Sequence, residues 1–267
     1  MPAPEPNPIL AAMTEPLHAA PSRDVIVVHS SDIHVDTGVT EHTYGGDGAG
    51  GLRLVLAAAK SLNADVALLA GDTFEHNRLP LPLLERAARL LEEAALPVVI
   101  LPGNHDPAIA ESAFHRGGLA EIGNVHILGV THEQSVLFPE LGLEIWGHAH
   151  RDYGNMEPLR DPRPRRTAWQ IAVAHGHYEP VPDPAVRLTP SWLISDAEIA
   201  ATGADYVALG HWNRAAKVGN GFVPAYYSGS PEYAGTVNVV RFPADGEVSV
   251  VRVKLDIARE IEPEYVP

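Results

Sequence analysis

The amino-acid sequence predicts an α/β fold in which two layers of mixed β-sheet are flanked by helices. Short aliphatic runs alternate with amphipathic stretches through the first part of the chain, and a strand-rich region follows. Polar segments come directly after most of the predicted strands, as expected where a largely parallel sheet presents its loops at one edge. The chain has 267 residues, 45% of them hydrophobic, which is enough for one large core.

The first part of the chain has the pattern of alternating strands and helices. Strands are predicted over Val25–His29, Val66–Ala70 and Val98–Leu101, each a short run of buried character. Helices are predicted over Leu52–Leu62 and Pro80–Ala95, where apolar residues recur at helical spacing. This alternation implies right-handed crossovers and a parallel sheet.

The second part has the pattern of strands joined by turns. Ser195 and Glu198 form an S-x-x-E capping box, so a short helix is expected from Asp196 to about Thr202. The turn at residues 244–246 indicates a hairpin near the end of the chain. The strands predicted here are Val125–Leu128, Ser135–Phe138, Leu143–Trp146, Ile171–Ala174, Val207–Leu209, Ala225–Ser228, Val237–Phe242 and Val248–Leu255.

Composition restricts the class of protein. The absence of cysteine excludes disulfides and thiolate metal sites, and the net charge of -15 argues against a broad basic surface for duplex DNA. No apolar run approaches the roughly 18 residues of a membrane helix, and no signal peptide is indicated, so we expect a cytoplasmic protein that does not enter a membrane. One domain is predicted over residues 24–256, between loosely packed tails at 1–23 and 257–267.

Five polar segments supply the candidate site. Their Asp, His and Asn side chains are ligands that manganese, iron or zinc accept, and the ends of parallel strands bring such side chains together. Five in series argue for a two-metal hydrolytic site. The segments are Asp32-Ile33-His34, Gly71-Asp72, Gly103-Asn104-His105-Asp106, His175-Gly176-His177 and Gly210-His211-Trp212-Asn213.

Spacing suggests how the ligands divide between two ions. Asp32 and His34 are two residues apart at a strand end, so both side chains point to the same side and one metal can receive both. Asp72 is expected to bridge, since a shared carboxylate holds two cations about 3.5–4 Å apart for in-line attack at phosphorus. The second ion is completed by Asn104, His175 and His211.

His105 is the candidate catalytic side chain. Because adjacent side chains diverge, an Asn104 that faces a metal leaves His105 free to face the substrate. Asp106 is then expected to hold the tautomer of His105 and raise its pKa, which suits a general acid or a cation beside a developing oxyanion. Asp106-Pro107 is also an ordinary helix-start signal, and the residue can serve both purposes.

Together these segments resemble the signature of the calcineurin-like metallophosphoesterases, over about Asp24 to Leu255. The resemblance implies a four-layer αββα sandwich and a site with two divalent ions, often manganese. It also implies phosphoester hydrolysis by a metal-bound water. Two further features resemble the SbcD-type branch of DNA-repair exonucleases, namely Gly71-Asp72-Thr73-Phe74 followed by Asn77-Arg78, and Tyr227-Ser228-Gly229-Ser230-Pro231-Glu232.

One position departs from the family pattern. The last motif of the family usually reads Gly-His-x-His, but Asn213 stands in the place of the second His. An amide oxygen still coordinates metals, although it is a weaker donor than imidazole to late divalent ions. Gly147-His148-Ala149-His150 has the missing pattern but precedes His175, so neither of its histidines is expected to be a ligand.

Four side chains are weaker candidates for substrate contact. His177 lies two residues beyond His175, which places it near the site. Arg163, Arg165 and Arg166 form a local basic stretch that either contacts substrate phosphate or is simply a solvated, proline-stiffened loop.

The sequence therefore predicts a dinuclear phosphoesterase that hydrolyses a phosphodiester in an exonuclease-like reaction. Its partners are phosphoester substrates such as nucleic-acid ends or nucleotides, and a homodimer is left open. The acidic charge and the lack of room for a DNA-capping domain argue against processive degradation of duplexes. Two alternatives remain: hydrolysis of a small nucleotide, cyclic diester or phosphomonoester, and a degenerate module that has lost catalysis.

Overall fold

The computed structural model describes residues 23–154, 156–181 and 192–256, which form an α/β fold. Its α-helices are α1 (Val39–Thr43), α2 (Gly50–Ser61), α3 (Leu81–Glu93) and α4 (Asp196–Ala201). Its strands are β1 (Val25–Ser30), β2 (Val66–Ala70), β3 (Val98–Leu101), β4 (Val125–Ile127), β5 (Ser135–Phe138), β6 (Leu143–Gly147), β7 (Trp169–His175), β8 (His177–Tyr178), β9 (Leu193–Ile194), β10 (Tyr206–Gly210), β11 (Ala216–Val218), β12 (Ala225–Tyr227), β13 (Thr236–Phe242) and β14 (Ser249–Lys254).

Two six-stranded sheets form the centre of the molecule. Sheet 1 has the order β14-β13-β1-β2-β3-β4, with parallel pairing from β1 to β4 and antiparallel pairing at β13 and β14. Sheet 2 has the order β11-β12-β10-β7-β6-β5, and its four inner strands are parallel. Both sheets are therefore mixed, as predicted, and each presents the ends of parallel strands at one edge.

Interior strands such as β2 and β3 are continuously apolar because both of their faces are covered. In β2, Leu68 and Ala70 pack between the two sheets, while Ala67 and Leu69 pack toward the helices. All five residues of β2 are buried. A strand with one wet face would alternate between polar and apolar residues, so the uniform run identifies an interior strand.

Three apolar cores give the layer order helix, sheet, sheet, helix, which confirms the four-layer prediction. The first core lies between α2, α3 and sheet 1, the second between the sheets, and the third between sheet 2 and α4. Representative members are Leu52, Leu69 and Leu84 for the first, Leu68, Ile145 and Tyr206 for the second, and Trp146, Ile199 and Leu209 for the third.

Each strand and helix to which the sequence analysis gave a range is present, with ends shifted by at most a few residues. The capping box at Ser195 forms, since its hydroxyl accepts from the backbone of Glu198 and the Glu198 carboxylate accepts from the backbone of Ser195. The residues directly after Asp106 do not form the helix that Asp106-Pro107 signals. The predicted tails before residue 23 and after residue 256 lie outside the described residues. Within those residues, no helix has the length and apolar character needed to cross a bilayer.

Candidate metal centre

The predicted site lies where the two sheets meet at the ends of their parallel strands. His175 ends β7 of sheet 2, and its Nδ1 donates to the carbonyl of Ala70, which ends β2 of sheet 1, at 2.9 Å. A carbonyl oxygen can only accept, so this bond fixes the tautomer of His175. Nε2 of the same ring then faces the Oδ1 of Asn104 at 3.0 Å and the Oδ2 of Asp72 at 3.1 Å.

Two glycines allow this close approach of the sheets. A Cβ on Gly71 would lie 2.0 Å from Nδ1 of His175, and a Cβ on Gly103 would lie 2.2 Å from Oδ1 of Asp72. No ordinary van der Waals contact is that short, so any side chain at either position would displace a candidate ligand. The glycines in the Gly71-Asp72 and Gly103-Asn104 segments are thus required by packing around the site.

The candidate ligands include several residues with strained backbones. Four of them have a positive φ, which residues other than glycine rarely adopt. The values are 53° for Asp32, 49° for His34, 52° for Asp72 and 107° for His211. Such strain persists only where surrounding contacts enforce it. Here the β1 loop is bonded to the β2 loop, from the backbone N of Asp32 to the carbonyl of Gly71 and from that of His34 to the carbonyl of Asp72, both at 3.0 Å.

Within the part of the chain that the structure describes, the side chains form two clusters of ligand atoms that share one carboxylate. The first consists of His34, Asp72 and His105, and the second of Asp72, His175 and His211, with the atoms of each cluster within 4.8 Å of one another. Asp72 is buried and is the member common to both. This is the position a bridging carboxylate would occupy, and it agrees with the role predicted for Asp72, which stays a prediction.

Asp32 is held by neighbouring groups and lies outside both clusters. The backbone N of His211 donates to its two carboxylate oxygens at 3.1 and 3.0 Å. The Ser31 hydroxyl donates to Oδ2 at 2.5 Å and lies 2.9 Å from the hydroxyl of Ser228. Burial raises the pKa of Asp32, and the charge of the nearby Asp72 adds to the rise. The predicted pairing of Asp32 with His34 on one ion remains a prediction.

Asn213 is exposed, and its backbone is bonded to the loop that contains Ser230. Its carbonyl accepts from the backbone N of Ser230 at 3.1 Å. Whether its side chain replaces the usual imidazole on the first ion is therefore still a prediction from the sequence.

Glu75 belongs to the site and was missed by the sequence analysis. Its Oε2 lies 2.7 Å from Nδ1 of His34 and its Oε1 lies 3.4 Å from Nδ1 of His105, while its carbonyl lies 3.0 Å from that same Nδ1. The close contact with His34 lowers the pKa of Glu75. The available signal was an acidic residue three positions after Asp72, in the loop that leaves β2 at the edge of the sheet.

The carboxylate of Asp106 bonds to two backbone N–H groups, and Nδ1 of His105 faces the carbonyl of Glu75, which argues against the predicted role of Asp106 in holding the tautomer of His105. Its Oδ2 accepts from the backbone N of Phe74 at 3.0 Å and its Oδ1 from that of Gly103 at 2.7 Å. It therefore ties the loop after β2 to the loop after β3. Burial raises the pKa of Asp106 to about 7, with a further contribution from the charge of Asp72.

The charges at the site favour cations. Burial lowers the pKa of His175, but the charge and hydrogen bond of Asp72 outweigh it and raise the value to about 9. Burial also opposes protonation of His34, but its ion pair with Glu75 and the charge of Asp72 raise its pKa to about 9. In turn the protonated His175 holds the pKa of Asp72 below its usual range despite burial.

These charges fit the divalent ions that the sequence implies. Without a bound ion, protons on two imidazoles supply positive charge at the places where ligand atoms converge. A divalent ion would replace those protons, because metal ligands must be deprotonated. The donor set of buried carboxylate and imidazole matches manganese, iron or zinc and does not select among them.

His150 and His148 are buried but belong to neither cluster, and of the two it is His150 that lies against His175. Nε2 of His150 lies 3.0 Å from the carbonyl of His175, and Nε2 of His148 lies 2.8 Å from the carbonyl of Arg160. Burial lowers the pKa of His150 to about 4, assisted by the charge of His175. His177, a predicted substrate contact, accepts on Nδ1 from the indole of Trp212 at 3.1 Å.

The three arginines predicted to contact substrate are paired with carboxylates. Arg165 donates to both oxygens of Asp205, at 2.7 and 3.1 Å. Arg166 forms a short ion pair with the fully buried Glu144, and Nε of Arg163 lies 3.6 Å from the same carboxylate. These pairs stabilise the second sheet and occupy the guanidinium groups.

The arginines also lie at the wrong end of the sheet. Glu144 is in register with Gln170, which precedes His175 by five positions along β7. At about 3.3 Å per residue this separates Gln170 from the site by roughly 16 Å. Their ion pairs and position argue against phosphate contact by Arg163, Arg165 and Arg166 and favour the alternative of a structural loop; the substrate contact stays a prediction.

Comparison with solved structures shows the same fold at low sequence identity. Protein TT1561 of Thermus thermophilus matches with a TM-score of 0.52 and 13% identity, over 86% of this chain and 98% of that one. A protein from Staphylococcus aureus with a proposed assignment as a 5′-nucleotidase, solved with alpha-ketoglutarate, matches with a TM-score of 0.55 and 13% identity, over 87% of this chain and 54% of that one. A comparison with curated proteins gives no significant match.

The family assignment is given by the sequence itself. Residues 26–214 match the family model described as calcineurin-like phosphoesterase, a range that contains both clusters of ligand atoms. This confirms the predicted superfamily and the predicted hydrolase of phosphoric ester bonds, while the SbcD-type branch remains a prediction. The chain therefore belongs to the calcineurin-like phosphoesterase family.

Proposed function

We propose that this protein is a dinuclear, metal-dependent phosphodiesterase. The observation that carries the proposal is the position of Asp72, whose carboxylate belongs to both clusters of ligand atoms. A shared carboxylate holds two cations close enough to act on one phosphoryl group. When bound, two ions, in our proposal manganese, would polarise the phosphoryl oxygens and lower the pKa of the attacking water.

The two ions would be held by the clusters and by side chains next to them. His34 and Asp72 face the first position, and Asp72, His175 and His211 face the second. Asn104 adds an amide oxygen to the second position, since its Oδ1 lies 3.0 Å from Nε2 of His175.

His105 is the residue we assign to proton transfer. Its side chain is 39% exposed, so it lies on the open side of the site, unlike the buried His175. Its Nδ1 donates toward the carbonyl of Glu75, which leaves Nε2 to meet a substrate. In this role His105 gives a proton to the leaving oxygen, and Glu75 orients the ring and balances its positive charge.

We further propose that the substrate is a small diester, such as a nucleotide or cyclic diester, in preference to a long nucleic acid. A net charge of -15 opposes binding of a polyanion, and the guanidinium groups of Arg163, Arg165 and Arg166 are engaged by Glu144 and Asp205. An exonuclease-like reaction at nucleic-acid ends would then depend on a terminal phosphate alone. A cytoplasmic location and a homodimer are carried over as predictions from the sequence.

The test compares diester, monoester and nucleic-acid substrates on one metal-loaded preparation. Manganese content is measured first, and then hydrolysis of bis-p-nitrophenyl phosphate, p-nitrophenyl phosphate, cyclic nucleotides and single-stranded DNA at low salt. We expect diester hydrolysis to exceed monoester hydrolysis and to disappear in Asp72→Asn. Preference for the monoester would overturn the diester proposal, and bound manganese without turnover of any ester would identify a non-catalytic module.

A further inference from the structure

An unusually aromatic surface adjoins the second cluster. Trp192 and His177 lie against His211, with ring centroids 5.9 and 6.3 Å from that imidazole. Trp212 continues the surface, with its centroid 5.5 Å from that of His177. All three side chains are partly exposed. We call Trp192, His177 and Trp212 the aromatic wall.

Ring stacking and hydrogen bonds hold the side chains of the aromatic wall in place. Trp212 stacks on the buried ring of Tyr227, with centroids 4.4 Å apart and planes 9° apart. The Tyr227 hydroxyl donates to the carbonyl of Gly176 at 2.7 Å, which anchors this pair to the segment that carries His177. On the other side, the indole N–H of Trp192 donates to the carbonyl of Gly154 at 2.7 Å.

Both indole N–H groups of the wall are used internally, so the exposed surface of its two tryptophans is mainly ring. The indole N–H groups of Trp192 and Trp212 are both engaged, the latter by Nδ1 of His177 at 3.1 Å. What the two tryptophans offer a ligand is π surface and ring edge, beside Nε2 of His177. Such a surface recognises another planar ring by stacking, and it does so with little dependence on that ring's hydrogen-bonding pattern.

The position of the aromatic wall indicates which part of a ligand would contact it. Trp192 lies one side chain from His211, a member of the cluster that would hold the phosphoryl group. A group bonded to phosphorus through an ester oxygen therefore reaches the wall within a few bonds. The acidic character of the chain does not oppose this contact, because a neutral ring carries no charge.

We propose that the aromatic wall is a subsite for a planar aromatic ring in the alcohol part of the ester, either a nucleobase or an aryl group. The subsite deepens the proposed function by naming the class of ester, and it rests on that function for the placement of phosphorus. It predicts that ring-bearing phosphates bind better than the same phosphates without the ring.

The experiment measures binding of two matched pairs of phosphates to manganese-loaded protein. Adenosine 5′-phosphate is compared with ribose 5-phosphate, and phenyl phosphate with ethyl phosphate, by calorimetry and by quenching of tryptophan fluorescence. We expect at least one ring-bearing compound to bind roughly 10- to 100-fold more tightly than its ring-free partner. The pair that shows the difference distinguishes a nucleobase from an aryl group, and equal affinities within both pairs would overturn the proposal.

Variants assign the effect to the wall. Trp192→Leu and Trp212→Leu should each weaken the ring-bearing ligand and leave the ring-free partner unchanged, whereas Trp192→Phe should retain most of the difference. Trp169→Phe is the matched control, since Trp169 packs on Phe242 at the opposite end of β7. Two Leu variants guard against one failing to fold.

Manganese content separates this inference from the proposed function. A Trp192→Leu protein that loses manganese would show that the ring only supports His211, which would overturn the subsite. Wild-type protein that prefers the ring-bearing ligand but hydrolyses no ester would leave the subsite standing and overturn the phosphodiesterase proposal. Wild-type protein that hydrolyses esters but shows no preference for the ring-bearing ligand would overturn the subsite and leave the phosphodiesterase proposal standing.

Discussion

Asp72 illustrates how much of the site depends on a single side chain. Its carboxylate faces His175 at 3.1 Å and His34 at 4.0 Å, and Oδ1 accepts from the backbone N of His105 at 2.9 Å. One buried carboxylate thus meets both clusters and orients the segment that carries the proposed acid. A neutral group in its place would keep the shape and lose the charge.

Replacement of Asp72 by Asn should therefore remove both ions, because an amide cannot balance two divalent charges. His211→Ala should mainly weaken the second ion. Metal content by mass spectrometry after equilibration with manganese measures both effects. Asp205→Asn, which alters a carboxylate paired with Arg165 far from the clusters, is the control and should retain wild-type content. Full occupancy in Asp72→Asn would show that Asp72 does not bridge.

The contacts of Glu75 lead to a second prediction, on kcat and manganese binding. It touches Nδ1 of both His34 and His105, so Glu75→Gln should disturb one proposed ligand and the proposed acid together. We expect His105→Ala to lower kcat by roughly 10²- to 10⁴-fold with manganese content near wild type. Glu75→Gln should lower kcat less and also weaken the first ion. Loss of manganese in His105→Ala would instead make His105 a ligand, as its membership of the first cluster allows.

At the scale of elements, the site depends on loops that leave two sheets and approach closely. Gly71 directly follows β2 and has a φ of 92°, and a Cβ there would lie 2.0 Å from Nδ1 of His175. Gly46 has a similar φ of 95° in an outer loop, but no atom lies within 4 Å of its added Cβ. The two glycines have the same backbone requirement and differ in packing.

Gly71→Ala and Gly46→Ala therefore separate backbone strain from displacement of a ligand. Each should lose about 1–2 kcal/mol of stability from the left-handed backbone. Gly71→Ala should lose roughly 1–3 kcal/mol more from overpacking, and it should also weaken manganese binding because His175 must move. Urea unfolding and manganese titration measure these effects. Equal stability and equal manganese affinity in the two variants would contradict the packing role of Gly71.

The same scale explains which parts of the structure the sequence could predict. Strands such as Val66–Ala70 and Val98–Leu101 were predicted with their observed ends, because burial on both faces leaves a continuous apolar run between turn residues. The convergence of five polar segments followed from strand topology. The two-residue strands β8 and β9 were not predicted, since pairs this short carry no periodicity.

The hydrogen-bond and ion-pair partners of the charged side chains could not be predicted from the sequence. Asp106 lies next to His105 in the chain yet bonds to the backbones of Phe74 and Gly103. Arg165 finds Asp205 forty positions away. Such pairs depend on how loops from different strands approach in space, and neither periodicity nor motif spacing records that.

At the scale of the whole molecule, the two sheets are joined by a buried polar contact as well as by apolar packing. Nδ1 of His29 on β1 lies 2.9 Å from the hydroxyl of Tyr206 on β10, and Asn238 on β13 lies 3.5 Å from the same hydroxyl. All three side chains are buried. Burial lowers the pKa of His29 to about 3, so the folded protein holds this imidazole neutral where the unfolded chain, with an ordinary value of 6.5, would protonate it.

This difference predicts a loss of stability in acid. Because the unfolded state takes up a proton below pH 6.5 and the folded state does not, His29 destabilises the fold progressively as the pH falls from 6.5 toward 3. The slope is about 1.4 kcal/mol per pH unit, so roughly 2–3 kcal/mol is lost by about pH 4.5. Urea unfolding across this range should show a shallower decline in His29→Gln, whereas Tyr206→Phe, which keeps the imidazole, should retain the wild-type slope. Equal slopes in wild type and His29→Gln would place the acid sensitivity elsewhere in the fold.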